Sequence, residues 1–421
     1  MVKPSDLCIV THVTDFRRDR LTWIAYVMLA WFAYLQAAPG LVIAHLRDEL
    51  HLSYSAGGLH VAAFAGGSTA AGLVSARLER ALGRRALLWA AAALLGLGTV
   101  GLTAGRTLAM TVGSVLVMGL AGGLLLATIQ AALADHHGER RTVALAEANV
   151  AAGVAYVVLI GTLSLTAAVH AGWRVALLVS LAAPVLAWWR SRRLVIAAPP
   201  VSPDARGRLP GVFWVAAGLL VCTTAAEWCI TAWGATFVQD AAGVSTDTAV
   251  ALMIGYFGGV VAGRVLGSRL ARRHDPLRLI AFALTISAAG FAILWPSTEP
   301  AQALTGLTLL GVGLGNLFPM GVSVAIALAP DQAGRASARA VTMSACAVLL
   351  APATVGSMAD ATSLKTALGV VPLTLTLATA ALALVHRASP QTHSEQSRLT
   401  AEPQAIATSW PAMSRSRKSK P

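Results

Sequence analysis

Charge is what this chain has least of. Only 12% of its 421 residues are Asp, Glu, Lys or Arg, about half the fraction a water-soluble protein of this size carries, and an ordinary soluble fold is thereby excluded. Cysteine is scarce as well: Cys8, Cys222, Cys229 and Cys346 are the whole set. Three lie inside apolar segments, and their spacing gives neither a disulfide framework nor a zinc site; Cys222 and Cys229 share a helix face and read as packing. There is no Gly-x-x-x-x-Gly-Lys-Ser/Thr run, which excludes a phosphate-binding loop. Residues 1–20 hold Lys3, Asp6, Asp15, Arg17, Arg18, Asp19 and Arg20 with no apolar core before them, which does not fit a cleaved signal peptide. No metal-ligand set and no clustered nucleophile and base appear, so no cofactor and no enzymatic activity are expected.

What the chain has is apolar length. Hydrophobic residues make up 56%, and stretches of about 18 or more recur from Leu21 to Val385, each long enough to cross a hydrocarbon core of about 30 Å. The pattern predicts an all-α polytopic membrane protein with twelve transmembrane helices, at 21–45, 54–76, 85–104, 107–134, 142–169, 173–190, 210–238, 246–270, 277–296, 300–328, 337–359 and 364–386. Of the 32 Lys and Arg residues, 27 fall in every second gap between these segments or at the segment ends that border it, the two tails included. Arg47, Arg106, Arg174 and Lys365 occupy the alternate gaps and Arg264 lies inside a segment. The excess of basic residues on the cytoplasmic side accounts for the net charge of +13 without nucleic acid, and puts both termini in the cytoplasm. Residues 1–20 then form a cytoplasmic tail, 21–190 and 210–386 two six-helix bundles, 191–209 an Arg- and Pro-rich cytoplasmic linker, and 387–421 a disordered cytoplasmic tail. Ala134-Asp135-x-x-Gly138-x-Arg140 after the fourth helix and Pro330-Asp331-x-x-Gly334-Arg335 after the tenth suggest that the halves are repeats.

Polar side chains in lipid are costly, so their positions carry information. Helices 3, 6, 9 and 12 have no interior Asp, Glu, Asn, Gln, His, Lys or Arg, as expected if each three-helix unit turns one helix to lipid and two to a central cavity. Helix 7 places Thr224, Glu227, Thr231 and Gly234 on one face, flanked by Trp228 and Trp233. A carboxyl at Glu227 loses its hydration and needs a proton or a cationic partner. It reads as a proton carrier or a substrate contact, against a structural glutamic acid bonded to a neighbouring helix. Gln36 on helix 1 and Asn316 on helix 10 suit a hydroxylated or zwitterionic solute, or else serve as interhelical glue. Asn149, Gly153 and Tyr156 form a further series on helix 5. His60 reads as a hydrogen-bonded helix-end residue rather than a proton sensor. Glu147, Gln130 and Arg264 lie near the cytoplasm and form the layer of a charged inner gate.

Twelve helices, a central basic linker and the loop motifs resemble the major facilitator superfamily over about residues 21–386. Residues 76–85 read ARLERALGRR; Gly83, Arg84 and Arg85 match that family's loop after helix 2, with Glu79 standing near the usual acid. Residues 263–273 read GRVLGSRLARR, similar to the Gly-Arg form in sugar permeases and their relatives, and bring Gly263, Arg264 and Arg269 into the same gate. GVGLGNLFP at 311–319 and Pro352, Gly356 and Asp360 at spacings of four are similar to the sugar-permease-like bacterial branch. AAGVAYVVLIG at 151–161 lacks the Gly-x-x-x-Gly-Pro-x-x-Gly-Gly pattern of proton-coupled drug antiporters. The resemblance implies alternating access at a midplane site lined by helices 1, 4, 7 and 10, in a multi-pass protein of the plasma or bacterial inner membrane. The partners expected are a small-molecule substrate, a proton or other cation as coupling ion, and the lipid bilayer, with the protein a monomer. One proton entering down 100 mV contributes about 2.3 kcal/mol, enough for roughly fifty-fold accumulation of a neutral solute. The favoured reading is proton-coupled movement of a sugar-like solute; export of a drug or metabolite, and a non-transporting membrane receptor, remain open.

Overall fold

The computed structural model describes residues 17–191, 196, 208–271 and 273–388. The cytoplasmic tails and the linker read from the sequence fall almost wholly outside the described residues.

Within the described residues every regular element is a helix. Those of the N-terminal half are α1 (Arg20–Leu50), α2 (Tyr54–Leu82), α3 (Arg84–Ala104), α4 (Leu108–His137), α5 (Arg141–Ala168), α6 (Trp173–Val179) and α7 (Ala182–Ser191). The C-terminal half has α8 (Gly211–Ala242), α9 (Thr246–Leu270), α10 (Pro276–Leu294), α11 (Pro300–Leu314), α12 (Leu317–Ala327), α13 (Ala333–Ala361), α14 (Leu364–Ala367) and α15 (Val370–Ala388). Polar caps start them where the apolar runs begin: Asp19 accepts from the Thr22 amide at 2.9 Å, Ser53 from Ala56, Thr107 from Met110 and Asp275 from Arg278, each satisfying an amide the first turn leaves free. Gly83 turns the chain between α2 and α3 at a φ of +77°, a region only glycine enters without strain.

Eleven apolar stretches are long enough to cross a membrane. The twelfth, predicted over 173–190, is present as α6 and α7. Three of the expected continuous spans are therefore broken, and each break lies at or next to the residue four before a proline. Pro184 has no N–H for the Ser180 carbonyl, Pro319 none for Gly315 and Pro372 none for Leu368, which favours a stop there, whereas α1 and α13 run on through Pro39 and Pro352.

The halves pack through few pairs: α1 on α8 and α9, α2 on α13, and α5 on α9. The spans without interior polar groups (α3, α6 with α7, α10, and α14 with α15) pack against their own half. One apolar core runs through both halves. A second, built from Phe213, Ala216, Leu220, Ala325, Ala336 and Val385, belongs to the C-terminal half alone and fills its end nearest the linker. That end is called the linker end below, and the opposite one the far end.

Candidate functional site

At mid-depth a small cavity is lined by Gln36 and Ala37 of α1, Tyr156 of α5, Glu227, Trp228 and Thr231 of α8, and Tyr256, Phe257 and Val260 of α9. Both halves contribute walls. Its volume is about 20 Å³, room for about one water. Glu227 stands about 24 Å along α8 from Gly211 at 1.5 Å per residue, midway through the helix. The Tyr156 hydroxyl donates to Gln36 Oε1 at 3.3 Å, and the Tyr156 and Phe257 rings lie 5.2 Å apart. The Glu227 carbonyl accepts from Thr231 Oγ1 at 2.8 Å and from the Tyr256 hydroxyl at 3.1 Å, which fixes the backbone carrying the carboxylate. Among the described residues nothing hydrogen-bonds the carboxylate itself.

Arg264 lies on the face of α9 that carries Phe257 and Val260, one turn nearer the linker end, and its charge reaches Glu227, Tyr156 and Tyr256. Its Nε donates to the Gly315 carbonyl at 3.1 Å. That is the carbonyl Pro319 leaves unpaired, so Arg264 completes the broken ladder of α11 and α12.

The remaining candidates sit elsewhere. Trp233 is fully buried between α2 and α13, its Nε1 donating to the Pro352 carbonyl at 2.9 Å. Thr224 is buried one turn nearer the linker end than Glu227, its hydroxyl without a partner. Asn149 is exposed and donates to Leu145 of its own helix. Asn316, at the helix break, donates to Met320 Sδ at 3.0 Å and lies against Gly267. His60 is fully buried and bridges the α2 carbonyls of Ala56 and Gly57 to Thr111 of α4. The sequence reading did not name Tyr256, Phe257 or Val260. Their i, i+1, i+4 spacing leading to Arg264 was the available signal.

Every hydrogen bond between the halves, among the described residues, is at the far end. Asp360, ending α13, accepts from the Tyr54 and Ser55 amides at 2.7 and 2.8 Å and from the Ser55 hydroxyl. It thereby adds a carboxylate at the N-terminus of α2, where the helix dipole favours negative charge. The Tyr54 hydroxyl donates to Asp240 at 2.9 Å, and Arg47 stacks 3.6 Å from the Tyr54 ring centroid. His45 pairs with Asp247 at 2.9 Å, and Thr246 donates to Asp48 at 3.0 Å. The backbones also close on each other: a Cβ at Gly40 would lie 2.4 Å from the Thr231 carbonyl oxygen, and one at Gly356 2.7 Å from that of Tyr54. The Gly40 contact is one turn beyond the cavity toward the far end and seals it there.

Among the described residues, the polar contacts at the linker end stay within one half. Arg84, 6% exposed, pairs with Glu79 at 2.8 Å and Asp135 at 2.7 Å, while the neighbouring Arg85 is exposed. Glu147 pairs with Arg18 at 2.6 Å and accepts from Tyr26 at 3.0 Å. Gln130 is exposed. Asp19 accepts from Thr22 and from the His136 ring; burial opposes its ionisation, but these hydrogen bonds prevail and hold its carboxyl below the ordinary carboxylate range. In the C-terminal half Gly263 lets α9 touch α11, where a Cβ would lie 2.3 Å from the Val312 oxygen, and Arg269 is exposed. Among the described residues, the hydrogen bonds that join the halves thus lie at the far end, while α5 still touches α9 on the linker side of the cavity, a Cβ at Gly153 lying 3.2 Å from Val261 Cγ2.

A sequence profile described as Major Facilitator Superfamily matches residues 22–301 and 216–418. The fold is similar to that of a bacterial homolog of the human lysosomal transporter Spinster, crystallised in an inward-facing and unoccupied conformation, with a TM-score of 0.68, 12% identity, and 88% of this chain and 98% of that chain covered. The same homolog in an inward-facing and occupied conformation gives 0.67, 12%, 89% and 98%. A mutant of the nucleoside transporter NupG gives 0.70, 10%, 88% and 99%. No curated protein matches the sequence.

Proposed function

The chain belongs to the major facilitator superfamily, a multi-pass membrane protein with a transporter fold and no enzymatic role, and on that premise we propose that it moves a small organic solute by proton-coupled alternating access. The observation that carries this reading is the distribution of contacts between the halves. Among the described residues, all the hydrogen bonds that join them lie on one side of a mid-depth cavity that both halves line. A mid-depth site walled by both bundles, with the hydrogen bonds between them on one side of it, fits rocking about a fixed binding point.

In this reading the linker end is cytoplasmic, as the basic loops indicate, and the state is open inward. Residues 21–190 and 210–386 are the two moving bundles, joined by 191–209. Outward opening breaks the Asp360, Asp240 and Asp247 contacts and parts Gly40 from Thr231. Closure at the cytoplasm then brings the surfaces around Gly83, Arg84, Arg85, Glu147, Gly263, Arg264 and Arg269 toward one another. Glu227 carries the coupling proton: its carboxylate faces the cavity without a hydrogen-bond partner, so a proton or a solute is its available company. Gln36, Tyr156, Trp228 and Thr231 contact the solute, and Tyr256 and Phe257 join them. Asn149, Thr224, Trp233 and Asn316 lie outside the cavity and have no part in holding the solute in this reading.

The test is flux in proteoliposomes that enclose a pH-sensitive dye and are screened against sugars, organic acids and amphiphilic drugs. Acidification of the lumen with uptake of one solute supports the proposal. Binding of a solute with no flux of it would replace the transporter by a receptor.

A further inference from the structure

One charged group, Glu227 of α8, lines the cavity, and a second of opposite sign, Arg264, stands on α9 one turn beyond Val260 of its wall. Among the described residues the two form no ion pair. The Arg264 Nε is held by the Gly315 carbonyl. Among the described residues its two Nη groups have no partner. A guanidinium fixed by Nε still offers a pair of parallel N–H donors, the geometry that takes two oxygens of one carboxylate or phosphate. Above it, Tyr156, Trp228 and Phe257 give aromatic walls.

Resting on the transport reading, we propose that the solute carries an oxyanion, carboxylate or phosphate, on an apolar or aromatic body, that its oxygens take the Nη groups of Arg264, and that it binds together with a proton on Glu227.

The charges require the proton. Where the pH is high enough for Glu227 to be ionised, the empty site holds one carboxylate and one guanidinium. An incoming anion places a second negative charge beside a single positive one where water is scarce, which is costly. A proton on Glu227 restores the balance and turns that carboxyl into a donor. One proton therefore travels with each single negative charge, and the step moves no net charge. A neutral sugar leaves both groups as they were and gives the proton no reason to accompany it. The titratable groups facing Glu227 are Arg264 and Tyr256 of α9 and Tyr156 of α5, with Cys222 and Cys229 on its own helix. At that depth α1, α11, α12 and α15 bring no acid or base, and α13 brings only the exposed thiol of Cys346.

The experiment uses the purified full-length protein in detergent. Benzoate and phenyl phosphate are the anionic probes, with benzyl alcohol, benzylamine and glucose as controls, and thermal shift and calorimetry in buffers of differing ionisation heat as readouts. Benzoate or phenyl phosphate should raise Tm where the controls do not, and the tighter of the two names the oxyanion. Benzoate binding should take up one proton, with affinity falling about tenfold per pH unit on the alkaline side. Glu227→Gln should bind benzoate without that slope and without proton uptake. Arg264→Lys and Arg264→Gln should both lose affinity tenfold or more, Lys keeping the Gly315 contact and so guarding against loss of the fold. Silence from both anions at millimolar concentration overturns the proposal, as does unchanged affinity in both Arg264 variants or a persisting pH slope in Glu227→Gln. Proton-driven uptake of a neutral solute would sink the anion site and leave the transport reading standing; anion binding without flux would do the reverse.

Discussion

Gly40 offers the sharpest test of the far-end seal. A Cβ there would lie 2.4 Å from the Thr231 oxygen, 3.1 Å from its carbonyl carbon and 3.2 Å from the Ala232 Cα. All three atoms are helix backbone, so no rotamer change relieves the overlap, and α1 must retreat from α8 by about 1 Å to restore ordinary contact. Overpacking of this kind costs about 1–3 kcal/mol. The cost falls only on the state in which the two helices touch, because opening the far end separates them. Gly40→Ala should therefore shift the equilibrium about 5- to 150-fold toward the far-end-open state. Spin labels at His51 and Thr362, exposed at the far ends of opposite halves, read the shift in a variant freed of native cysteines. The distance distribution should gain a longer population. Gly218→Ala, which meets nothing within 4 Å, should leave it unchanged. A folded Gly40→Ala protein with the parent distribution would refute the argument.

Three further outcomes are expected. Asp360→Ala removes the carboxylate that joins α13 to the start of α2; discounted for exposure the contact contributes about 1 kcal/mol, and the same labels should report roughly a fivefold shift in the same direction. Arg84→Ala strands Glu79 and Asp135 and should lower stability by about 2–3 kcal/mol in chemical denaturation. Arg84→Lys should recover little of this, because one ammonium cannot reproduce the two-sided contact through Nε and Nη1. Asp19 stays ionised to lower pH in the folded state than an ordinary carboxyl, so its contribution is complete above the ordinary carboxylate range and is lost as pH falls through the lowered value. The Tm advantage of the parent over Asp19→Asn should accordingly shrink with acidification below that range.

Much of the architecture is legible in the sequence because lipid permits few alternatives: apolar length gives the spans, and the lack of polar residues in every third span marks those that pack only against their own half. The breaks were not read from the sequence. Pro184, Pro319 and Pro372 each withhold a hydrogen bond from a carbonyl four residues earlier, but Pro39 and Pro352 do the same inside the continuous α1 and α13, so a proline alone does not mark a break. The site is only partly readable. Helical spacing brings Glu227, Trp228 and Thr231 to one wall, and the polar residues of α1 and α5 add Gln36 and Tyr156. Tyr256 and Phe257 look like ordinary packing residues until α9 is laid beside α8. Trp233 shares a helix with Glu227 but lies one and a half turns on, where α13 supplies the Pro352 carbonyl for its indole. The contact of Arg264 with Gly315 depends on a partner 51 residues away, which periodicity along one helix does not reveal.

The central claim is that Glu227 carries the proton that drives accumulation. Proteoliposomes bearing the parent or Glu227→Gln should be compared in two modes, uptake driven by an imposed pH gradient and exchange of labelled against unlabelled solute with no gradient. Glu227→Gln should lose gradient-driven accumulation and retain exchange. Undiminished accumulation in Glu227→Gln would contradict it.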